Sequence, residues 1–489
     1  MRTLPLAALA VVIIGTSGGC TKDRGVVPTE SKTTTRSADA SGAPDGATCG
    51  PRSLPESAHF VADGLCTRVV AVQQGRLRGI VFAANGDLIG IRHDGEIRRY
   101  RDVDEDGLFA PSAPETIVWA RTNSDNGHNC AFDGEDLYCG AKGSVKRWHY
   151  VPTSEHGGDG ETVVVAAPEG GRHPTLNVGV WDGFLYVASG SKDNAMDRMP
   201  AGYPTDRAVV RRFPLARYAP GKPLRWQDGE VFARGVRNLT AMARAPNGHI
   251  IGVDQGVDEL HHRGNDIHDD NPGEAVLRLE AGKAYGFPFC FYAQRLIRKG
   301  AVVPPGAALA SEIGIEVPVV KDVVPTTKSN KSDAWCARNA APPLSLIQAH
   351  SSVLSLAFVP RDAKDALPAR WRGGAFAALH GSWNRKPSTG HKVVFLPFDE
   401  NGSLPMPRSD GLTTQFPYEV VFGGGRKGEP KDGEWSWKMG DIGEDPVRPV
   451  GVALSPVDGA LYVSSDNNVF LDPANKKEGA IYRIAAPGR

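Results

Sequence analysis

The sequence predicts an all-β fold, a six-bladed β-propeller, from three observations. A phrase recurs six times: an apolar run, a turn with glycine, and a second apolar run. Glycine (57) and proline (37) are abundant, and no sustained helical periodicity stands out; both suit a loop-rich β protein. The repeats run from near residue 75 to residue 484, a length normal for a radial repeat. One hairpin cannot bury its own apolar face, so stacked copies must share a core. Six such units, each completed to four strands, give a propeller with ligands at a central channel.

The copies follow in order. Residues 79–91 turn at Asn85-Gly86, 130–139 at Asp133-Gly134, and 176–187 at Asp182-Gly183. Residues 239–253 turn at Asn247-Gly248 and 450–463 at Asp458-Gly459. A stretched copy joins 354–358 to 374–379. Asn-Gly and Asp-Gly supply the positive φ that tight hairpins require. The late apolar run 480–484 is expected to complete a blade.

The amino end is a targeting segment. Arg2 is a short basic start, and residues 4–14 are an apolar core too short to span a bilayer. Ser17-Gly18-Gly19-Cys20 resembles a bacterial lipoprotein signal, with Ser17 where leucine is usual and Cys20 the lipidated residue. Three segments are expected: a signal peptide at 1–20, a disordered Ser/Thr-rich tether at 21–48, and the propeller at 49–489. The expected location is the periplasm or cell envelope, with membrane attachment through the lipid alone. Lys plus Arg equals Asp plus Glu at 56 each, which argues against a nucleic-acid surface.

Six cysteines remain after Cys20. An even number in an oxidising compartment points to disulfides. Cys130 and Cys139 sit on the two arms of one hairpin. Cys290 and Cys336 bracket an insertion, and Cys49 and Cys66 bracket the domain entrance. Those three pairings are expected, and no C-x-x-C spacing suggests zinc, redox or haem chemistry.

Several phrases of the second half resemble the glucose/sorbosone dehydrogenase family. They are Gly235-Val236-Arg237-Asn238, Asp254-Gln255-Gly256, Tyr285-Gly286-Phe287-Pro288-Phe289-Cys290 and Ala349-His350-Ser351-Ser352. His380-Gly381-Ser382-Trp383-Asn384-Arg385 is the most specific, and Arg448-Pro449-Val450-Gly451 opens the closing blade. The resemblance covers roughly residues 75–484 and points to the L-sorbosone dehydrogenase-like branch. It implies a six-bladed propeller, the cofactor pyrroloquinoline quinone (PQQ) and a calcium ion. It also implies oxidation of an aldose or sorbosone-like sugar. A separate electron acceptor, a quinone or a cytochrome, is expected.

PQQ is a planar ortho-quinone with three carboxylates, so its site needs fixed cations and a Lewis acid. The resemblance assigns Arg237 and Asn238 to the quinone and Arg448 to a carboxylate. Arg385 is the expected cation of the fifth blade, with Lys386 and Lys392 as alternatives. Calcium is expected on the carbonyls of Gly256 and Val257, with Gln255 facing the channel. The acid pair that follows in the family is poorly matched by Asn271-Pro272-Gly273-Glu274. His173, just before the third copy, is the expected general base, because a neutral histidine suits proton removal at ambient pH. His128 with Asn129 holds the equivalent place in blade two. That pair is the second candidate, or otherwise a contact to cofactor or substrate. His350 and His380 are open to either channel-lining or structural roles.

Two stretches imitate metal sites. The histidine-rich 261–270 is read as a solvated loop over the channel mouth. Residues 102–107 start like an EF-hand, but Ser112 stands where the closing glutamate is required, so a turn is expected. Two other readings compete: a propeller that has lost the quinone and only binds sugar or protein, and a lactonase. Arginines rather than acids near the channel disfavour the lactonase.

Overall fold

The computed structural model describes residues 49, 53, 59–72, 74–195, 199–314, 326–424, 447–466 and 479–488. Cys20 and the tether up to residue 48 lie outside them. Among the described residues regular structure is nearly all β, with one α-helix, Asp333–Asn339. Ser332 caps that helix by accepting the Trp335 N–H.

The hairpin phrases form the first two strands, paired antiparallel, of six sheets. The first strands are β1 (Leu77–Phe82), β2 (Cys130–Asp133), β3 (Leu176–Trp181), β4 (Leu239–Arg244), β5 (Val353–Phe358) and β6 (Pro449–Leu454). In the first sheet Leu88–Arg92, Glu96–Tyr100 and Thr116–Arg121 follow β1 in chain order. The stretched copy obeys the same rule, β5 pairing with Ala375–Leu379. Its longer connection contains a 3-10 turn that buries Trp371.

β1 lies beside β2, β2 beside β3, β3 beside β4, β4 beside β5, β5 beside β6, and β6 beside β1. Apolar clusters fill the spaces between successive sheets. Trp119 and Trp148 pack between the first and second, and Val178 and Phe213 belong to the cluster between the second and third. Phe232 and Leu277 join the third to the fourth, and Ile251 and Val394 the fourth to the fifth. Phe376 and Tyr482 pack between the fifth and sixth, and Tyr100 and Ile481 between the sixth and first. Burying one large apolar side chain contributes roughly 1.5–3 kcal/mol, so each gap is held by several such terms. The first strands have few exposed residues, which is why they read as continuous apolar runs rather than alternating ones.

The sixth sheet draws on both ends of the domain. Ala480–Ala485 pairs with Leu461–Ser465, as expected for the late apolar run. Its outer strand is Cys66–Ala71, which pairs with Ala480–Ala485. The repeat pattern, starting near residue 75, missed this strand because it has no hairpin partner of its own.

The cysteines pair as expected. Cys130 faces Cys139 in the ladder, with Cα atoms 4.1 Å apart. Cys290 bonds Cys336 of the helix, and Cys49 bonds Cys66 at the start of the outer strand. The fourth sheet carries long insertions, from which Leu260–His262, Asn265–Asp266, Glu312–Gly314 and Thr326–Lys328 build an additional sheet.

Candidate active site

In an antiparallel hairpin, the residues just before the first strand meet those just after the second. This rule builds the site. It brings His173 to Ser191, Arg237 and Asn238 to Gln255, and Arg448 to His380 and Asp466 at the facing hairpin ends.

The first group surrounds the entry to β4. The buried Asp254 carboxylate accepts the backbone N–H groups of Arg237 (3.0 Å) and Asn238 (2.8 Å). Burial pushes this carboxyl up to about 6, against those two hydrogen bonds. The Arg237 guanidinium donates to the Gly256 carbonyl (2.7 Å), Asn194 Oδ1 (2.9 Å) and Asp258 Oδ2 (3.1 Å). Its Nε–H is buried with no hydrogen-bond partner among the described residues. Asn238 Nδ2 donates to Gln255 Oε1 (2.9 Å), and Gln255 Nε2 donates to Thr240 Oγ1 (2.8 Å).

His173 is half-buried beside this group. Its Nδ1 lies 2.9 Å from Ser191 Oγ and 3.1 Å from the Ser191 carbonyl. Burial, then the nearby Arg237, pull the imidazole down to about 3, so it is neutral at ambient pH. A Cβ on Gly190 would come within 2.5 Å of His173 Cβ and 2.9 Å of Asn238 Oδ1. Glycine there lets the histidine and the asparagine approach each other.

The second group surrounds the entry to β6. Arg448 Nη2 donates to His380 Nδ1 (2.9 Å), so the His380 hydrogen sits on Nε2 and is donated to Asp466 Oδ1 (2.8 Å). Arg78, on β1, donates to Asp466 Oδ2 (2.8 Å). Burial and Arg448 pull His380 down to about 4. Burial would raise Asp466, but His380 and the arginines hold it well below the usual carboxylate range.

Other expected site residues are spent elsewhere. His128 is 1% exposed and hydrogen-bonds the Thr240 carbonyl through Nε2 (2.8 Å). It has no surface for a base or a cofactor contact. Asn129 donates to the Val178 carbonyl (2.7 Å) and accepts the Val178 N–H (2.9 Å), clipping β2 to β3. Arg385 Nε donates to the Asp269 carbonyl (2.6 Å) and Nη2 to Asp270 (3.3 Å), tying two loops together. Lys392 is buried, its ammonium 5.6 Å from the Tyr418 ring, and the Lys386 N–H is held by Asp269.

The stretch 261–270 is not simply a solvated loop: His262 and His268 are buried. His268 converges with Asp258 and His350. His350 Nε2 donates to the His268 carbonyl (2.6 Å), and its Nδ1 faces Asp258 at 3.5 Å. Burial pulls His350 down, but Asp258 outweighs it and raises the imidazole above its ordinary value. His268 Nδ1 accepts the Glu259 N–H (3.0 Å), leaving its hydrogen on Nε2. His268 thus spends its lone pair on Glu259, while His350 Nδ1 faces the Asp258 carboxylate. Asp102 and Asp106 accept the N–H groups of Gly107 and Leu108, as a turn requires.

Sequence reading missed Arg78, Ser191, Asp258, Asp466 and Trp383. Three of them, Ser191, Asp258 and Asp466, follow the second strand of a hairpin, so the same register argument applied to both arms finds them. Trp383 is 62% exposed. Its neighbour Asn384 donates to Glu259 (3.4 Å), bringing its loop to the Asp258 segment.

The family described as TrAA12-like matches residues 59–471, and the chain belongs to it. It is 26% identical over 423 residues to a pyrroloquinoline quinone-dependent sugar dehydrogenase of Hypocrea jecorina, covering 84% of this chain and 87% of the relative. It is 25% identical over 333 residues to a pyrroloquinoline quinone-dependent pyranose dehydrogenase of Coprinopsis cinerea. That match covers 65% of this chain and 42% of the relative's length. In fold, it resembles the holo PQQ domain of pyranose dehydrogenase from Coprinopsis cinerea, at TM-score 0.66 and 22% identity over 88% of this chain and 98% of the other. The calcium structure of a Trichoderma reesei family AA12 enzyme gives TM-score 0.67 and 21% identity over 88% and 97%.

Proposed function

We propose that this chain is a PQQ-dependent sugar dehydrogenase on a six-bladed β-propeller, working with calcium and a separate electron acceptor. The blade count rests on six sheets whose first strands neighbour one another in turn and back to the first. The cofactor reading rests on the relatives' names and on one observation. Arg237 and Arg448 each precede the first strand of a hairpin and Arg78 opens β1, so three guanidiniums with little exposure stand at the same hairpin ends. A planar ligand with three carboxylates is the chemistry that such a group of guanidiniums suits. For calcium, the Gly256 carbonyl gives one lone pair to Arg237 and keeps another. The Val257 carbonyl accepts no hydrogen bond among the described residues. Two such oxygens suit calcium.

PQQ, when bound, supplies the two-electron acceptor. The chain does the rest. Arg448 and Arg237 hold carboxylates, and the Gly256 and Val257 carbonyls hold the calcium. Asn238, fixed by Gln255, orients the ring. His173, neutral and only partly buried, takes the proton of the sugar hydroxyl at Nε2. The sugar class is a pyranose, as in the name of the Coprinopsis cinerea relative. We assign export and a lipid anchor at Cys20 from the amino-terminal pattern. The test is dye reduction by purified apoprotein given PQQ and calcium, across a panel of pyranoses. The expected result is turnover only when both are present. No turnover with any sugar, despite bound PQQ, would favour the binding-module reading.

A further inference from the structure

We infer that Ser191 is the positioning residue of the base: its hydroxyl and carbonyl hold His173 in the tautomer that leaves Nε2 open. This rests on His173 being the base, as proposed above. The Ser191 hydroxyl donates its one hydrogen to the Asp193 carbonyl (2.6 Å). Toward His173 it therefore acts as an acceptor, at 2.9 Å from Nδ1. The Ser191 carbonyl, 3.1 Å from the same nitrogen, only accepts. Nδ1 must carry the hydrogen, and the lone pair is on Nε2, the atom a base needs.

The serine is itself fixed. It is fully buried, and its N–H donates to the Arg237 carbonyl (2.7 Å). Asn194, three residues on, accepts from Arg237 (2.9 Å) and from the Asp258 N–H (2.9 Å). Segment 190–194 is thus one bracket for the base and for the arginine beside it. Hydrogen bonds made within it set the distance between the two.

The acceptor is neutral, and that has a consequence. A carboxylate at this place would stabilise the imidazolium formed when the base takes a proton. A hydroxyl and a carbonyl do so far less. The groups facing His173 are Ser191, Arg237, Asp258 and Arg172, and Arg237 outweighs Asp258. The resulting base is weak, but it stays unprotonated in acid. With only a neutral acceptor at Ser191 to oppose them, burial and Arg237 set the acidic edge of the activity.

The experiment uses the full-length protein, with nitrogen-15 histidine spectra of the PQQ-free chain and pH profiles of the reconstituted one. His173→Gln identifies the His173 signal. Wild type should show His173 as a single Nδ1–H tautomer at pH 6. Ser191→Ala, which keeps the carbonyl acceptor and loses the hydroxyl, should add a detectable Nε2–H fraction and turn over roughly 3–10-fold more slowly, the loss of one hydrogen bond. Ser191→Asp should move the acidic limb of the pH profile upward by about one unit or more. An Nε2–H tautomer in wild type overturns the inference. So does a spectrum unchanged in Ser191→Ala, which decides the matter even where Ser191→Asp fails to fold. The tautomer is read without PQQ, so a wrong cofactor reading would abolish turnover and leave this result standing.

Discussion

The two histidines that follow or precede the inner strands, His173 and His380, start alike and end differently. Both lie at the same end of their hairpins, beside an arginine, and both are held neutral by burial and that arginine. His380 spends both nitrogens, one accepting from Arg448 and one donating to Asp466. His173 spends only Nδ1 and keeps Nε2 open. The first is a strut for a cation, and the second keeps an Nε2 with no hydrogen bond among the described residues. Position on the fold does not separate them; their partners do.

Changes on the His173 side should strike turnover, and changes on the His380 side should strike stability and cofactor affinity. The largest effect is expected for His173→Ala, with turnover falling about 10²–10⁴-fold while PQQ stays bound and the melting temperature barely moves. Steady-state kinetics beside a PQQ absorbance spectrum check this. Asp466→Ala should leave Arg78 and His380 without their carboxylate. Breaking such a buried pair costs roughly 3–5 kcal/mol, seen as a large fall in thermal stability. Arg448→Ala should weaken PQQ binding by about 10–100-fold, the worth of a charge-assisted hydrogen bond, with a smaller effect on melting.

The smallest effect is a pH dependence shared by both sides. His128 and His380 are pulled down to about 4 from 6.5 by burial and neighbouring arginines. The unfolded chain then binds more protons than the folded one between pH 6.5 and pH 4. Stability must therefore fall as the pH drops through that window. His128→Gln, which removes one of these groups, should flatten the fall in a melting series from pH 7 to pH 4.

Much of the fold was legible because the repeat is local. Each hairpin carries its own apolar runs and its own glycine turn, and those alone define two strands. The outer strand Cys66–Ala71 was hidden because its partner, Ala480–Ala485, lies at the far end of the chain. The sequence phrases pointed to one arm of each hairpin only. Arg237, Asn238 and Arg448 stood out because they precede strands in marked phrases. Ser191, Asp258 and Asp466 follow the second strand and carry no motif of their own. Arg385 and Asn129 differ in another way: they occupy site-like positions, and their side chains hold backbone groups. Which role such a residue takes depends on partners more than 40 residues away, which spacing does not reveal. His268 was likewise read as solvated, because a charged, glycine-containing stretch looks exposed until Asp258 and His350 close on it.

The account's central claim is that this end of the sheets holds PQQ. A fluorescence titration of PQQ into the calcium-loaded apoprotein tests it most directly. Wild type should bind one equivalent saturably, and Arg237→Ala should bind at least tenfold more weakly, as loss of a charge-assisted contact implies. Absence of saturable binding to wild type, or equal affinity in Arg237→Ala, would contradict it.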